Sequence, residues 1–163
     1  CRLIRQVVSV ETELIFREMT LDDLSIVVMN DKLSYTHPWS KGIFTDCLQA
    51  GNDCWVVARD KELIGHSVLS VVEGECHLLN VCIIPDYQDG GLGRRLVEHM
   101  LDRAKQLSAR TVFLEVRPST PAAYHLYTSM GFNEVGTRKD YYPAKSGRED
   151  AIIMAKELRL HGY

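Results

Sequence analysis

What this 163-residue chain lacks narrows the possibilities first. No run approaches the roughly 18 consecutive apolar residues that a membrane-spanning helix needs, so no membrane partner is expected. The opening CRLIRQVVSV has no secretory core with a cleavage site, so no leader is expected there. An excess of basic charge is also missing. The net charge of −3 provides no general field for a polyanion, and no direct nucleic-acid partner is expected. The five cysteines form no C-x-x-C pair, and Cys47 and Cys54 are too widely spaced for a zinc finger. The six histidines form no i,i+4 pair and no H-E-x-x-H, so no metal site is expected. The chain also has no G-x-S-x-G elbow, no Gly-Lys-Ser/Thr of a phosphate loop, and no G-x-G-x-x-G. Repeats, low-complexity tracts and interdomain linkers are absent as well.

What is present suits one globular domain, since domains run to roughly 100–200 residues. Residues 14–158 are read as that domain, 1–13 as an N-terminal extension and 159–163 as a tail. A chain of this size buries on the order of two-thirds of its unfolded surface. Hydrophobic residues at 45% and charged residues at 25% fit a soluble protein with a real core. Most of the cysteines sit among apolar residues, as small core fillers do, which suggests free thiols and a reducing, cytoplasmic setting.

The hydrophobic pattern predicts the order β-α-α-β-β-β-α-β-α-β-β. A short strand over Leu14–Glu18 leads to a helix opened by Thr20-Leu21-Asp22-Asp23, which is close to a capping box, with Leu21, Leu24, Val27 and Val28 on its apolar face. Pro38 makes 35–40 a loop, and Ser40 can cap a second helix to about Leu48. Three strands follow, over 54–59, 63–72 and 76–84, with turns at 60–62 and 73–75. A helix over about 91–107 carries Leu92, Leu96, Met100, Leu101 and Ala104 at helical spacing. The strand Thr111–Val116 precedes a helix with Thr120 as candidate cap, Pro121 at its first position and Gly131 just past its end. Strands over 132–138 and 151–157 close the chain, joined by a polar loop over 140–150. Hairpin-like strands followed by helical crossovers predict an α/β fold with a mixed sheet.

The stretch NVCIIPDYQDGGLGRR, residues 80–95, organises the rest. It reads as a strand, a glycine-rich turn and a helix N-terminus. Glycines permit close backbone approach, and the first helical turn offers free N–H groups at the positive end of the dipole. Together they suit a phosphate or pyrophosphate, although the same pattern also serves as a plain tight turn. Arg94 and Arg95 put positive charge in that first turn, where acidic residues are the usual choice, which favours an anionic ligand. Glu115 interrupts an apolar strand. It is either a solvent-facing carboxylate or a partly desolvated one able to take a proton. Tyr127, one turn before Gly131, is either a core phenol or an acid for a leaving group, with Tyr124 as its local competitor. Cys82 reads as packing rather than as a nucleophile, and His37 and His125 read as surface or loop residues.

In combination these motifs resemble the GCN5-related N-acetyltransferase superfamily. The resemblance rests on the strand, Gln88-Asp89-Gly90-Gly91-Leu92-Gly93, Leu114-Glu115-Val116-Arg117, and Ala123-x-x-x-Tyr127-x-x-x-Gly131-Phe132. Within it, Pro38-Trp39-Ser40, Phe132-Asn133-Glu134, Tyr141-Tyr142-Pro143 and Gly147 to Ala155 resemble the branch that acetylates the N-terminal alanine of a small-subunit ribosomal protein. The likeness runs from about Ile15 to Leu158 and implies a mixed, mostly antiparallel twisted sheet of about seven strands flanked by about four helices. It implies acetyl-CoA as donor and no metal. Val81, Cys82 and Ile83 would present backbone groups to the pantetheine arm. Asp89, Gly90, Gly91, Leu92, Gly93 and Arg94 would wrap the pyrophosphate, with Asp89 turned away and Arg94 and Arg95 supplying charge. Thr120 stands at a further CoA-contacting position. Glu115 would be the general base for the incoming α-amine and Tyr127 the acid for the departing thiolate, by direct transfer in a ternary complex. Two alternatives stay open: a lysine side chain or small amine as acceptor, or a CoA-binding module without catalysis.

Overall fold

The computed structural model describes residues 13–158, so the proposed extension over 1–13 (Glu13 apart) and the tail over 159–163 lie outside the described residues. The elements follow the predicted order: β1 (Leu14–Glu18), α1 (Leu24–Ser34), α2 (Lys41–Gln49), β2 (Asp53–Arg59), β3 (Glu62–Val72), β4 (Glu75–Ile83), α3 (Leu92–Gln106), β5 (Thr111–Val116), α4 (Pro121–Ser129), β6 (Asn133–Pro143) and β7 (Arg148–Glu157). They form one seven-stranded sheet in the order β1-β2-β3-β4-β5-β7-β6. All neighbours are antiparallel except β4 and β5, which run parallel because α3 carries the chain back between them.

Turn chemistry sets the register. Asp60 and Lys61, at φ 51° and 67°, form the two-residue turn between β2 and β3. Glu73 and Gly74, at 38° and 82°, do the same between β3 and β4. Paired positive φ values match the right-handed twist of the flanking strands. The sheet has apolar layers on both faces. On one, Leu92, Leu96, Val97, Met100 and Ala104 of α3 pack on Ile64, Leu69, Leu78, Val112, Leu114 and Met154. On the other, Leu24 and Val27 of α1 and Phe44 of α2 pack on Cys54, Val56, Ala58, Leu63 and Val68. Truncating a buried Leu or Met of this kind to Ala typically costs about 2–5 kcal/mol.

Three local expectations change. A 3-10 turn over Leu21–Asp23 precedes α1, so Leu21 stays exposed instead of joining the core. Asp23 still completes the cap: its carboxylate accepts from the Thr20 N–H at 2.8 Å and from both Arg17 guanidinium nitrogens at 2.8 Å. At α4 the Thr120 hydroxyl donates to the Arg117 carbonyl at 2.9 Å and does not cap the helix. The predicted polar loop over 140–150 is mostly strand. The β6–β7 hairpin runs out to Pro143 and Arg148, with a kink at Asp140 (φ 50°). There Arg148 donates to the Asp140 and Tyr141 carbonyls and the Asp140 N–H donates to Asp150. Charged side chains, not an alternating apolar pattern, hold this hairpin together.

Candidate active site

The central feature is a place where two strands stop pairing. The β4–β5 ladder runs from Glu75↔Thr111 to Leu78↔Leu114 and goes no further. On its other side β4 stays paired with β3 through Ile83, but Val68 meets Asn80 and Leu69 meets Leu78, leaving Leu79 as an extra residue. A bulge of this kind bends its strand and ends local pairing. From Asn80 to Ile83 one edge of β4 is therefore open. The Val81 carbonyl faces it and accepts from the Tyr35 hydroxyl, and the Ile83 carbonyl accepts from Gln88 Nε2 at 2.8 Å. Alternation along an antiparallel strand then turns the Cys82 backbone toward His66 of β3. Its thiol is buried against Asn30 and Ser34, and burial pushes it up to about 12, so Cys82 is packing and not a nucleophile. Of the three strand residues expected to face an arm, only Val81 and Ile83 turn their backbone to the open edge.

The chain leaves this edge through Pro85 and enters the glycine turn. Asp89 and Gly91 adopt left-handed conformations at φ 66° and 79°. Gly91 is the N-terminal flank of α3 and contributes no capping side chain, so the N–H groups of that first turn have no side-chain acceptor from it. The geometry is that of an anion cradle. Asp89, Gly90, Gly91 and Arg94 are exposed, Gly93 is half-buried, and Leu92 is buried as an anchor in the core. The arginines do not both face this turn. Arg94 donates to the Ser129 hydroxyl of α4 at 2.6 Å, and the Arg95 guanidinium lies over the Phe16 ring at 6.0 Å. The expected pooling of their charge at the turn gives way to contacts with α4 and β1.

Glu115 sits just beyond the last β4–β5 pair and opposite Ile153 of β7. Its side chain is 14% exposed, and Arg138 Nε of β6 approaches its carboxylate at 3.5 Å. The carboxylate is thus mostly covered and does not face open solvent. The Tyr127 ring packs on Phe132 at 5.7 Å between centroids. Burial pushes its phenol up to about 12, and the phenol makes no hydrogen bond among the described residues. Tyr124, by contrast, donates its hydroxyl to Glu134 at 3.1 Å. Tyr127 stays in position because α4 ends firmly: Phe132 N–H donates to the Tyr127 carbonyl, Gly131 N–H donates to Thr128, and Gly131 sits at φ 93°. Thr120 is exposed at the start of the same helix.

Several residues were given no role from the sequence. Tyr142 of β6 lies under the Arg117 guanidinium at 4.2 Å, and its phenol is pushed well above the ordinary value by burial and by the Glu115 charge. Glu149 fixes Arg117 at 3.3 Å and the Ser119 N–H at 2.7 Å. The available signal was Arg117, two residues after Glu115 and just past the end of β5. A second network centres on three buried polar residues. Asp31 of α1 accepts from His66 of β3 at 2.9 Å, from Asn80 of β4 at 3.3 Å and from the Trp39 N–H at 2.8 Å. Ligand atoms of Asp31, His66 and Cys82 lie within 4.8 Å of one another. The direct Asp31–His66 bond and the protonated Cys82 thiol make this a structural knot tying α1 to the bulged strand. His37 and His125 are exposed, as expected. The described cysteines, Cys47, Cys54, Cys76 and Cys82, are free.

The strand opening, the glycine turn, Glu115 and the half-buried Tyr127 make up the candidate site, and the chain as a whole has known relatives. Residues 18–132 match the model of the acetyltransferase (GNAT) family. The chain is 38% identical over 138 residues to the [ribosomal protein bS18]-alanine N-acetyltransferase of Escherichia coli K12, covering 85% of this chain and 93% of that one. It is 32% identical over 146 residues to the putative enzyme of the same name from Bacillus subtilis, covering 88% and 95%. The crystal structure of the E. coli ribosomal-protein-S18-alanine N-acetyltransferase superposes with a TM-score of 0.86 at 35% identity, over 92% of this chain and 97% of that one. Ard1 from Thermoplasma volcanium shares the fold, with a TM-score of 0.82 at 21% identity, over 90% and 98%. The chain belongs to the GNAT acetyltransferase family and is an acetyl-CoA-dependent acyltransferase.

Proposed function

We propose that this protein acetylates the N-terminal α-amine of a ribosomal protein, with an N-terminal alanine as the first residue of the acceptor. The observation that carries the proposal is the open edge of β4 at Val81–Ile83, flanked by Glu115 on β5 and followed in the chain by the cradle at Gly91. An extended pantetheine arm fits such an edge as an added strand would, since the backbone groups there lack a ladder partner. The N–H groups of residues 91–94 suit the pyrophosphate. Identity to alanine N-acetyltransferases along most of the chain supports the acceptor class.

The donor supplies an activated acetyl thioester. An α-amine near pKa 8 is largely protonated at neutral pH, so a base is needed before attack. Glu115 takes that proton. The carbonyl carbon then gains the nitrogen and loses the sulfur, Tyr127 gives its proton to the departing thiolate, and the proton that the acylated nitrogen sheds restores the phenol. Tyr127 suits the task because its phenol keeps its proton at neutral pH. Arg117, held by Glu149, braces Tyr142 beside this centre, where the ring can line the acceptor groove. No helix among the described residues is long and apolar enough to cross a membrane. A ribosomal acceptor and the free thiols among the described residues support a cytoplasmic setting.

The test is mass spectrometry of ribosomal proteins incubated with this protein and acetyl-CoA. One added acetyl group on a single N-terminus is expected. Acetylation of lysine side chains, or indifference to the first residue across a peptide panel, would overturn the acceptor assignment.

A further inference from the structure

We infer that Tyr35 is a donor-displaced gate: its hydroxyl occupies the Val81 carbonyl in the unliganded protein, and acetyl-CoA must release it before the acceptor groove takes its working shape. The inference rests on the reading of β4 as the donor strand. An open strand edge carries unpaired backbone groups that favour stray pairing, and proteins commonly blunt such edges. Here two side chains do so, Tyr35 at Val81 and Gln88 at Ile83. They come from different segments. Gln88 belongs to the turn into α3. Tyr35 is the first residue after α1, in the loop that leads to Trp39 and α2.

The phenol does more than cap a carbonyl. At Val81 it stands on the open edge, beyond the last β4–β5 pair, along which the donor arm would lie. A thioester lying along Val81 with its sulfur near Tyr127 needs that space. Tyr35 is also well mounted to report the exchange. Its N–H donates to the Asp31 carbonyl at 3.0 Å, and the Asp31 carboxylate holds the Trp39 N–H at 2.8 Å. Both ends of the loop from Tyr35 to Trp39 are thus tied through their backbone N–H groups to one buried residue, which leaves the Tyr35 side chain free to turn and links its position to Trp39. A ligand shifts such an equilibrium by its preference for one state, so donor binding would open the loop to the acceptor and order the two substrates.

The test is calorimetry of acetyl-CoA with the wild-type protein and with Tyr35→Phe, together with Trp39 emission in a Trp55→Phe background. Removing a competing hydrogen bond should tighten acetyl-CoA by about two- to tenfold. Wild-type Trp39 emission should shift on saturation, and unliganded Tyr35→Phe should already show the shifted value. Gln88→Ala should tighten acetyl-CoA without moving Trp39 emission in the unliganded protein. Equal or weaker binding by Tyr35→Phe, or an emission that ignores the donor, overturns the gate while leaving β4 as the donor strand. Failure of both wild-type and Tyr35→Phe proteins to bind acetyl-CoA overturns the donor-strand reading and the gate together.

Discussion

Arg138 of β6 faces Glu115 of β5 across the β7 strand that separates them in the sheet, with 3.5 Å between guanidinium and carboxylate. The arginine is 54% exposed and the glutamate 14%, so the pair joins the solvent rim of the cleft to its interior. An exposed partner makes the pair worth little to stability: Arg138→Gln should shift the unfolding free energy by under about 1 kcal/mol in urea titrations. Removing the carboxylate is a different matter. Glu115→Gln should lower kcat by about 10²–10⁴-fold, in proportion to a lost general base, while acetyl-CoA affinity by calorimetry stays within about twofold. Thiol release at the wild-type rate would take Glu115 out of the mechanism.

Tyr127 and Tyr124 sit three residues apart on α4 in different surroundings, one packed on Phe132 and one bonded to Glu134. Burial disfavours the phenolate of Tyr127 and pushes its pKa up to about 12, so the phenol keeps its proton throughout the neutral and mildly alkaline range. Any alkaline fall in rate below about pH 10 must then come from another group, since Tyr127 has not yet ionised. Tyr127→Phe should cut kcat by about 10²-fold or more. Tyr124→Phe, which loses only a contact to Glu134, should retain most of the rate in the same thiol-release assay. Equal loss in both variants would point to packing of α4 and not to proton transfer.

How much of this was readable from the sequence differs from part to part. The strand, glycine turn and helix at 80–95 were plain because Pro85 and Gly90–Gly93 punctuate them locally. Glu115 could be set on its strand face by alternation alone. Its partner could not, because Arg138 reaches it only through the pairing of β6 with β7, and that register bends at Asp140. Asp31, His66, Asn80 and Trp39 come from four separate segments, each unremarkable by itself, and only the packing of α1 on β3 and β4 turns them into one network. The 140–150 segment was misread as loop for a similar reason: Arg148 and Asp150 hold it to β6, and strand patterns are recognised by apolar alternation, not by charges.

Gly65 carries a prediction about the donor strand that catalysis alone would not reveal. A Cβ built there lies 2.7 Å from the Cys82 carbonyl oxygen and 2.7 Å from the Ile83 side chain. The Ile83 side chain can rotate away, but the β4 backbone cannot without leaving its register with β3. Gly65→Ala should cost about 1–3 kcal/mol in urea unfolding, as overpacked cores do. Because the displaced Cys82 carbonyl lies between Val81 and Ile83, whose backbone faces the open edge, acetyl-CoA affinity should fall as well. A variant of wild-type stability and affinity would show that β4 yields more readily than this geometry allows.

Asp23 supplies a pH signature for the fold that is independent of the active site. Hydrogen bonds from Arg17 lower its pKa, opposed by burial and helped by the Thr20 N–H and the Arg17 charge. A carboxyl whose folded pKa is depressed binds its proton more readily when unfolded. Its contribution is therefore fully present above the ordinary aspartate value near 3.9 and fades as pH falls from there through the lower folded value. Asp23→Asn should lose this contribution, together with the Arg17 pair and part of the α1 cap, for about 0.5–2 kcal/mol at neutral pH. The difference in urea midpoint between wild type and variant should hold steady from pH 7 to about pH 5 and narrow toward pH 3 as the wild-type carboxylate takes up its proton. A difference that stays constant down to pH 3 would mean that packing at the start of α1, and not the ionised carboxylate, carries the effect.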